Sequence, residues 1–262
     1  MQMTHNTILI TGGASGIGRA MAEAFHALGN KVIIAGRRQA LLAEVTAANP
    51  GMVSRVLDIA NASDVALFAE AVMRDHPALN VVIHNAGMMV GEDVQELSTA
   101  STQTLAKAED TIATNLLGPI RLNAVLLPLL LKQPKAAVMT VSSGLAFLPL
   151  ASTPTYSATK AAIHSYTQSL RYQLKNTNVQ VLELAPPYVQ TELMGAAQAS
   201  DPHAMPLKAF IAEVMAILTN APEATEILVE RVKPLRFAEV NGGYDGFFKS
   251  FNDGMAAAGI GK

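Results

Sequence analysis

What most limits the folds open to this chain is a repeated alternation of short β-branched runs with longer amphipathic stretches. TILIT (7–11) precedes GIGRAMAEAFHALG (16–29), where Ile17, Met21, Ala24, Phe25 and Leu28 recur on one helical face. The unit repeats as KVIIA (31–35), a helix over about 38–48, MVSRVLD (52–58), a helix over about 63–75 and NVVIH (80–84). A helix over about 107–132, AAVMTVS (136–142), a helix opening near Pro154 and NVQVLELA (178–185) complete the series. Proline suits a first helical turn, where its missing N–H costs nothing. Six strands separated by helices, several apolar on both faces, predict a doubly wound α/β domain. Its sheet would be mostly parallel, with right-handed crossovers covering both sides.

No linker, internal repeat or low-complexity tract divides the chain, so residues 1–262 read as a single domain. After 186 the pattern loosens and no seventh strand is obvious. Residues 186–206 lack periodicity and 207–232 read as one or two helices, so 186–232 is expected to cover a substrate. Residues 233–262 are expected to form a tail over the sheet edge or against another subunit.

Half of the residues are hydrophobic and 15% are charged, which predicts an ordered chain with a large core. A net charge of -2 without a Lys/Arg run argues against a nucleic-acid or anionic-membrane surface. Partners are expected to be small molecules or copies of the chain itself. The absence of cysteine removes disulfides, thiolate metal sites and thiol nucleophiles. The six histidines show no clustered spacing with carboxylates, so no metal site is expected. MQMTHN runs into TILIT without a basic region and cleavage motif, which makes the cytoplasm the expected compartment. VLLPLLL (125–131) is short of a membrane span and reads as a buried helix end.

Between the first strand and first helix lies TGGASGIG (11–18), with Gly12, Gly16 and Gly18 spaced G-x-x-x-G-x-G around Ser15 and Ile17. Glycines at this place allow a tight turn and close approach of a phosphate to a helix N-terminus. No G-K-[ST] follows, which disfavours a nucleoside-triphosphate loop. At the end of the second strand, where an acidic residue would hold a ribose 2′-hydroxyl, stand Gly36, Arg37 and Arg38. An arginine there pairs with a 2′-phosphate, so NADP(H) is expected over NAD(H). The same two arginines would also suit the exposed start of a helix.

YSATK (156–160) places Lys160 one helical turn beyond Tyr156. Alone, this spacing equally describes a solvated helix face. Together with TGGASGIG, NAG at 85–87, Asn115 in TNLLG and Ser143 in VSSG, thirteen residues before Tyr156, it makes the chain resemble the short-chain dehydrogenase/reductase family over nearly its whole length. APPYVQTEL and the PLRFAE tail are similar to the bacterial Dlt-type oxidoreductase subgroup.

The resemblance implies a single Rossmann domain and an NADP(H)-dependent oxidoreductase of carbonyl reductase or alcohol dehydrogenase type, assembled as a homodimer or homotetramer. Its catalytic set would be Asn115, Ser143, Tyr156 and Lys160. Tyr156 would exchange the proton, with Lys160 lowering its pKa and binding the nicotinamide ribose. Ser143 would orient the carbonyl, and Asn115 would position a relay water. Ser142 would point to the opposite strand face. Gly12, Ser15, Gly16, Ile17, Gly18, Arg37 and Arg38 would hold the nucleotide phosphates. Asp58 would accept from the adenine amine, or simply cap a loop, with Ile59, Ala86 and Gly87 near the adenosine and Asn85 also in the cofactor-binding set. Pro186, Val189 and Thr191 would meet the carboxamide. Met88, Leu145, Phe147, Tyr188 and Met194 flank these segments, fitting either a substrate pocket or plain packing.

Three positions depart from the family pattern: Pro187 where glycine usually follows proline, His84 for the first asparagine of NNAG, and the tail without an evident last strand. Two rival functions remain. A silent nucleotide sensor on the same fold would need only the nucleotide half, and a methyltransferase has no use for Tyr-x-x-x-Lys.

Overall fold

A computed structural model describes residues 1–93 and 102–260. Its strands are β1 (Thr7–Thr11), β2 (Lys31–Gly36), β3 (Val53–Val56), β4 (Val81–His84), β5 (Ala136–Val141), β6 (Val179–Leu184) and β7 (Glu226–Ile227). All pair in parallel, in the order β3-β2-β1-β4-β5-β6-β7. The order reverses between β1 and β4, so the connections leave on opposite sides there and open a crevice beyond the strand ends.

The helices are α1 (Gly16–Ala27), α2 (Gln39–Ala48), α3 (Ala62–Asp75), α4 (Thr102–Ile112), α5 (Gly118–Leu130), α6 (Pro154–Leu174), α7 (Leu207–Asn220), α8 (Lys233–Arg236) and α9 (Tyr244–Ala257). Alternation along β1 sends Ile8 and Ile10 to one face and Leu9 to the other. The first face packs on Met21 and Phe25 of α1 and Phe210 and Val214 of α7. The second packs on Phe68 and Val72 of α3 and Leu122 and Leu126 of α5. Each such side chain contributes about 1.5–3 kcal/mol when fully buried.

One open point is settled and two expectations need correction. A seventh strand exists but is only the pair Glu226–Ile227, too short to show a period. The helical reading of 207–232 holds for Leu207–Asn220 and a single 3-10 turn at Glu230–Val232, with β7 between them. The long helix expected from about 107 begins at Thr102 and is interrupted by a π turn, Ala113–Leu117, that joins α4 to α5. Positions 261 and 262 of the tail lie outside the described residues.

The continuous run Leu105–Leu130 is long and apolar enough, by length and composition, to cross a membrane. About a third of that span, 33%, is buried. Leu122, Leu126 and Leu130 are wholly buried against the sheet. Leu131, at the end of the segment read as buried, is 42% exposed.

Candidate active site

A cavity of about 700 Å³ follows the crevice from the glycine turn to the C-terminal helix. At its nucleotide end the wall is backbone. Gly12 has φ +68° and Gly16 φ +52°, a region side chains avoid. A Cβ on Gly18 would lie 2.3 Å from both Asn85 Nδ2 and Gly12 O, so this glycine is required by packing. Asn85 Nδ2 donates to Thr11 O (3.0 Å) and Gly12 O (3.3 Å), and the Asn85 and Ala86 amides donate to Thr11 Oγ1 at 3.1 Å. The Asn85 side chain therefore braces the turn from behind, while the residue also lines the cavity.

Arg38 Nη2 donates to Ser15 Oγ at 2.7 Å, tying the end of β2 to the glycine turn. Both residues and Arg37 line the cavity. Asp58 lines it as well, and one of its carboxylate oxygens accepts from Ala60 N at 3.1 Å, the loop-capping role weighed for it. Ile59, Ala86, Gly87, Pro186, Val189 and Thr191 complete the expected nucleotide set. Among the expected site residues, only Gly18 and Asn115 do not line this cavity.

The reactive end is built by the start of α6 and the turn after β5. Tyr156 is 6% exposed and Lys160 5%. Burial pushes the Tyr156 phenol up to about 12, with a hydrogen bond from Ser143 acting against it. Burial draws Lys160 down to about 8, opposed by the charge of Glu183. The expected lowering of Tyr156 by Lys160 is therefore corrected: desolvation is the dominant effect. The ammonium sits 5.4 Å from the Tyr156 ring centroid and donates to Val141 O at 2.8 Å. The two groups are neighbours, and at neutral pH the phenol carries its proton.

Ser143 caps a short 3-10 turn, its Oγ accepting from Leu145 N at 3.1 Å. Ser142 sends its hydroxyl toward Leu184 O (3.5 Å); both serines follow the end of β5 and both contribute to the cavity wall. Asn115 lies in the π turn, a distortion common at functional sites. Its Oδ1 accepts from Met88 N and its Nδ2 donates to Met88 O, each at 2.9 Å, and Nδ2 also donates to Thr159 Oγ1 at 3.2 Å. The side chain thus pins the loop after β4 to α6. Glu92 adds a second tie, accepting from Thr155 N (3.1 Å) and Thr155 Oγ1 (2.7 Å) beside Tyr156.

His84 is buried, its Nε2 2.7 Å from Asn123 Oδ1, and burial lowers its pKa to about 4. Pro187 does not break the path near the cavity: Gly144 N donates to Pro186 O at 2.9 Å and Pro187 lines the wall. Met88, Leu145, Tyr188 and Met194 are also in the wall, whereas Phe147 is not.

The sequence did not place the C-terminal tail at the cavity, since a course over the sheet edge or against another subunit was expected for residues 233–262. Leu235, Phe251, Met255 and Ile260 line the cavity, so the tail folds over the crevice of its own chain. Phe248, Phe251 and Met255 do stand at helical spacing, a signal that the glycines around Tyr244 obscured. Gln198 gave no signal. It is 7% exposed, donates to Val189 O (2.8 Å) and Thr191 Oγ1 (3.2 Å), and fastens the covering segment. His164, Glu183 and Glu226 converge from three elements, with potential ligand atoms within 4.8 Å of one another, a cluster that linear spacing hides.

A family model described as short chain dehydrogenase matches residues 6–202. An uncharacterized oxidoreductase of Bacillus subtilis, DltE, is 40% identical over 255 residues, covering 96% of this chain and 98% of that protein. A short-chain dehydrogenase from Sphingobium yanoikuyae, solved with NADPH, superposes with a TM-score of 0.76 at 23% identity, covering 94% of this chain and 95% of that one. One from Burkholderia phymatum, solved with NAD, gives 0.74 at 24% identity, covering 92% and 93%. At such identities the two structures speak for the fold alone.

Proposed function

Because this chain belongs to the short-chain dehydrogenase family and is an oxidoreductase, we propose that it catalyses NADP(H)-dependent interconversion of a small or medium carbonyl compound and its alcohol. The observation that carries this reading is the meeting of Ser143, Tyr156 and Lys160 in the wall of the same cavity as the glycine turn. The residues present suit a dinucleotide: close-approach glycines at one end and polar, buried groups at the other. When bound, the nicotinamide supplies or accepts the hydride.

The remaining chemistry belongs to side chains. In reduction, Tyr156 gives its proton to the carbonyl oxygen as negative charge develops there, and Ser143 donates a hydrogen bond to the same oxygen. The Lys160 ammonium favours the phenolate left behind. In oxidation Tyr156 takes the proton back. Arg37, Arg38 and Ser15 form a positive, donor-rich corner suited to a 2′-phosphate, which supports NADP(H). Met88, Leu145, Met194, Phe251 and Met255 suit a substrate with an apolar substituent. Leu105, Ile112 and Leu117 are exposed along α4 and the π turn, a surface that suits a homodimer or homotetramer.

A cofactor-consumption screen over ketones, aldehydes and alcohols, run beside Tyr156→Phe, tests the reading. The substitution is expected to lower turnover by about 10²–10⁴-fold while NADPH still binds. NADPH binding without Tyr156-dependent turnover in any class would instead establish a nucleotide sensor.

A further inference from the structure

Phe147, four residues beyond Ser143, is held from two sides. The His164 ring meets it edge-on, with centroids 4.7 Å apart and planes at 76°. The Arg236 guanidinium carbon lies 4.6 Å from its centroid, in reach of a cation–π attraction. Each of these two partners is anchored by a carboxylate. His164 Nδ1 is 2.8 Å from Glu183 Oε2, while Arg236 Nε and Nη2 donate to the two oxygens of Glu226 at 2.9 and 3.0 Å.

Glu183 and Glu226 face each other in register on β6 and β7, and Glu183 is 1% exposed. Carboxylates so placed repel unless each has its own donor or cation. Arg236 engages both oxygens of Glu226, so a guanidinium fills the role that a metal ion would take in this cluster. The same segment lies directly on the catalytic turn. A Cβ on Gly144 would meet Leu235 Cδ2 at 2.9 Å and Val232 Cγ2 at 3.0 Å.

We propose that Arg236 and Phe147, anchored through Glu226 and flanked by His164, form a clamp that sets the Ser143 hydroxyl against Tyr156. The proposal rests on the carbonyl-reductase reading above. Neither residue lines the cavity; both are positioning residues that act through the Ser143–Gly144 turn. They lie on opposite sides of a boundary: Phe147 is inside the family-matched region 6–202 and Arg236 is beyond it.

The test is Arg236→Gln and Phe147→Leu, singly and together, measured by steady-state kinetics and by amide exchange at Gly144 and Leu145. Those two amides donate to Pro186 O and Ser143 Oγ, at 2.9 and 3.1 Å, and report the order of the turn without any turnover. Each single variant is expected to lower kcat roughly ten- to a hundredfold at an unchanged NADPH dissociation constant. The double variant should be no worse than the more damaged single one, and exchange at both amides should rise about tenfold or more. Arg236→Lys keeps the charge but loses the fork and should not rescue kcat.

Variants that melt earlier yet keep wild-type kcat and exchange below the melt would overturn the clamp. Should Arg236→Gln fail to fold, Phe147→Leu carries the same two readouts. If the wild type reduces no carbonyl while exchange still rises in the variants, the clamp stands and the reaction reading falls. If Tyr156→Phe abolishes turnover while the clamp variants change neither kcat nor exchange, the clamp alone falls.

Discussion

At the glycine-turn end, main chain at Gly12 and Gly16 forms part of the cavity wall, with Gly18 packed behind it against Asn85. At the substrate end the wall is side chains, many from beyond residue 202: Leu235, Phe251, Met255 and Ile260. A backbone wall tolerates almost no added atom, because neighbouring main chain cannot turn aside. A wall of methionine, leucine and phenylalanine repacks at modest cost. Within one cavity, the end at the glycine turn is therefore close-packed and the end lined by the C-terminal residues is built from adaptable side chains.

Substitutions can break or sharpen that contrast. Gly18→Ala should act most strongly after Tyr156→Phe. Its methyl group meets Asn85 and Gly12 at 2.3 Å, so stability should fall by about 1–3 kcal/mol and NADPH binding with it. Denaturant titration and calorimetry would show this, and relative kcat/KM among substrates should not change. An altered substrate ranking in Gly18→Ala would break the contrast.

Arg38→Ala tests the proposed 2′-phosphate contact: if Arg38 makes charge-assisted hydrogen bonds to it worth about 1.5–3 kcal/mol, a preference for NADPH over NADH should shrink roughly ten- to a hundredfold. Fluorescence titration with both cofactors reads it directly. Phe251→Ala should do the reverse, raising KM for bulky apolar ketones roughly tenfold while leaving both cofactor dissociation constants alone.

The smallest effect at neutral pH belongs to His84→Asn. Burial holds the folded-state pKa of His84 near about 4, below its ordinary 6.5, so between these values the unfolded chain binds more protons. Stability is thus complete above 6.5 and falls as pH drops toward 4, by up to about 1.4 kcal/mol per pH unit. His84→Asn should flatten that stretch of the stability–pH curve, measured by urea unfolding at several pH values.

Legibility in the sequence followed the same division. β1 was read to the residue, because TILIT is bounded by polar residues and by the glycine turn. The Tyr156, Lys160 and Ser143 constellation was legible because it is carried by short-range spacing and a resemblance. The π turn was not, since its extra residue leaves the apolar period of Leu122, Leu126 and Leu130 intact. Nor was the direction of the Tyr156 shift, which depends on how deeply neighbours from other elements bury the ring. β7 and the His164, Glu183 and Glu226 cluster depend on contacts between distant segments, and two residues cannot display a strand period.

Asn115 belongs to a helical rod whose outward side shows Leu105, Ile112 and Leu117, while its amide is bonded twice to Met88 at the cavity wall. One short helical segment therefore carries both an apolar outward side, at Leu105, Ile112 and Leu117, and the two hydrogen bonds that hold Met88 in the cavity wall.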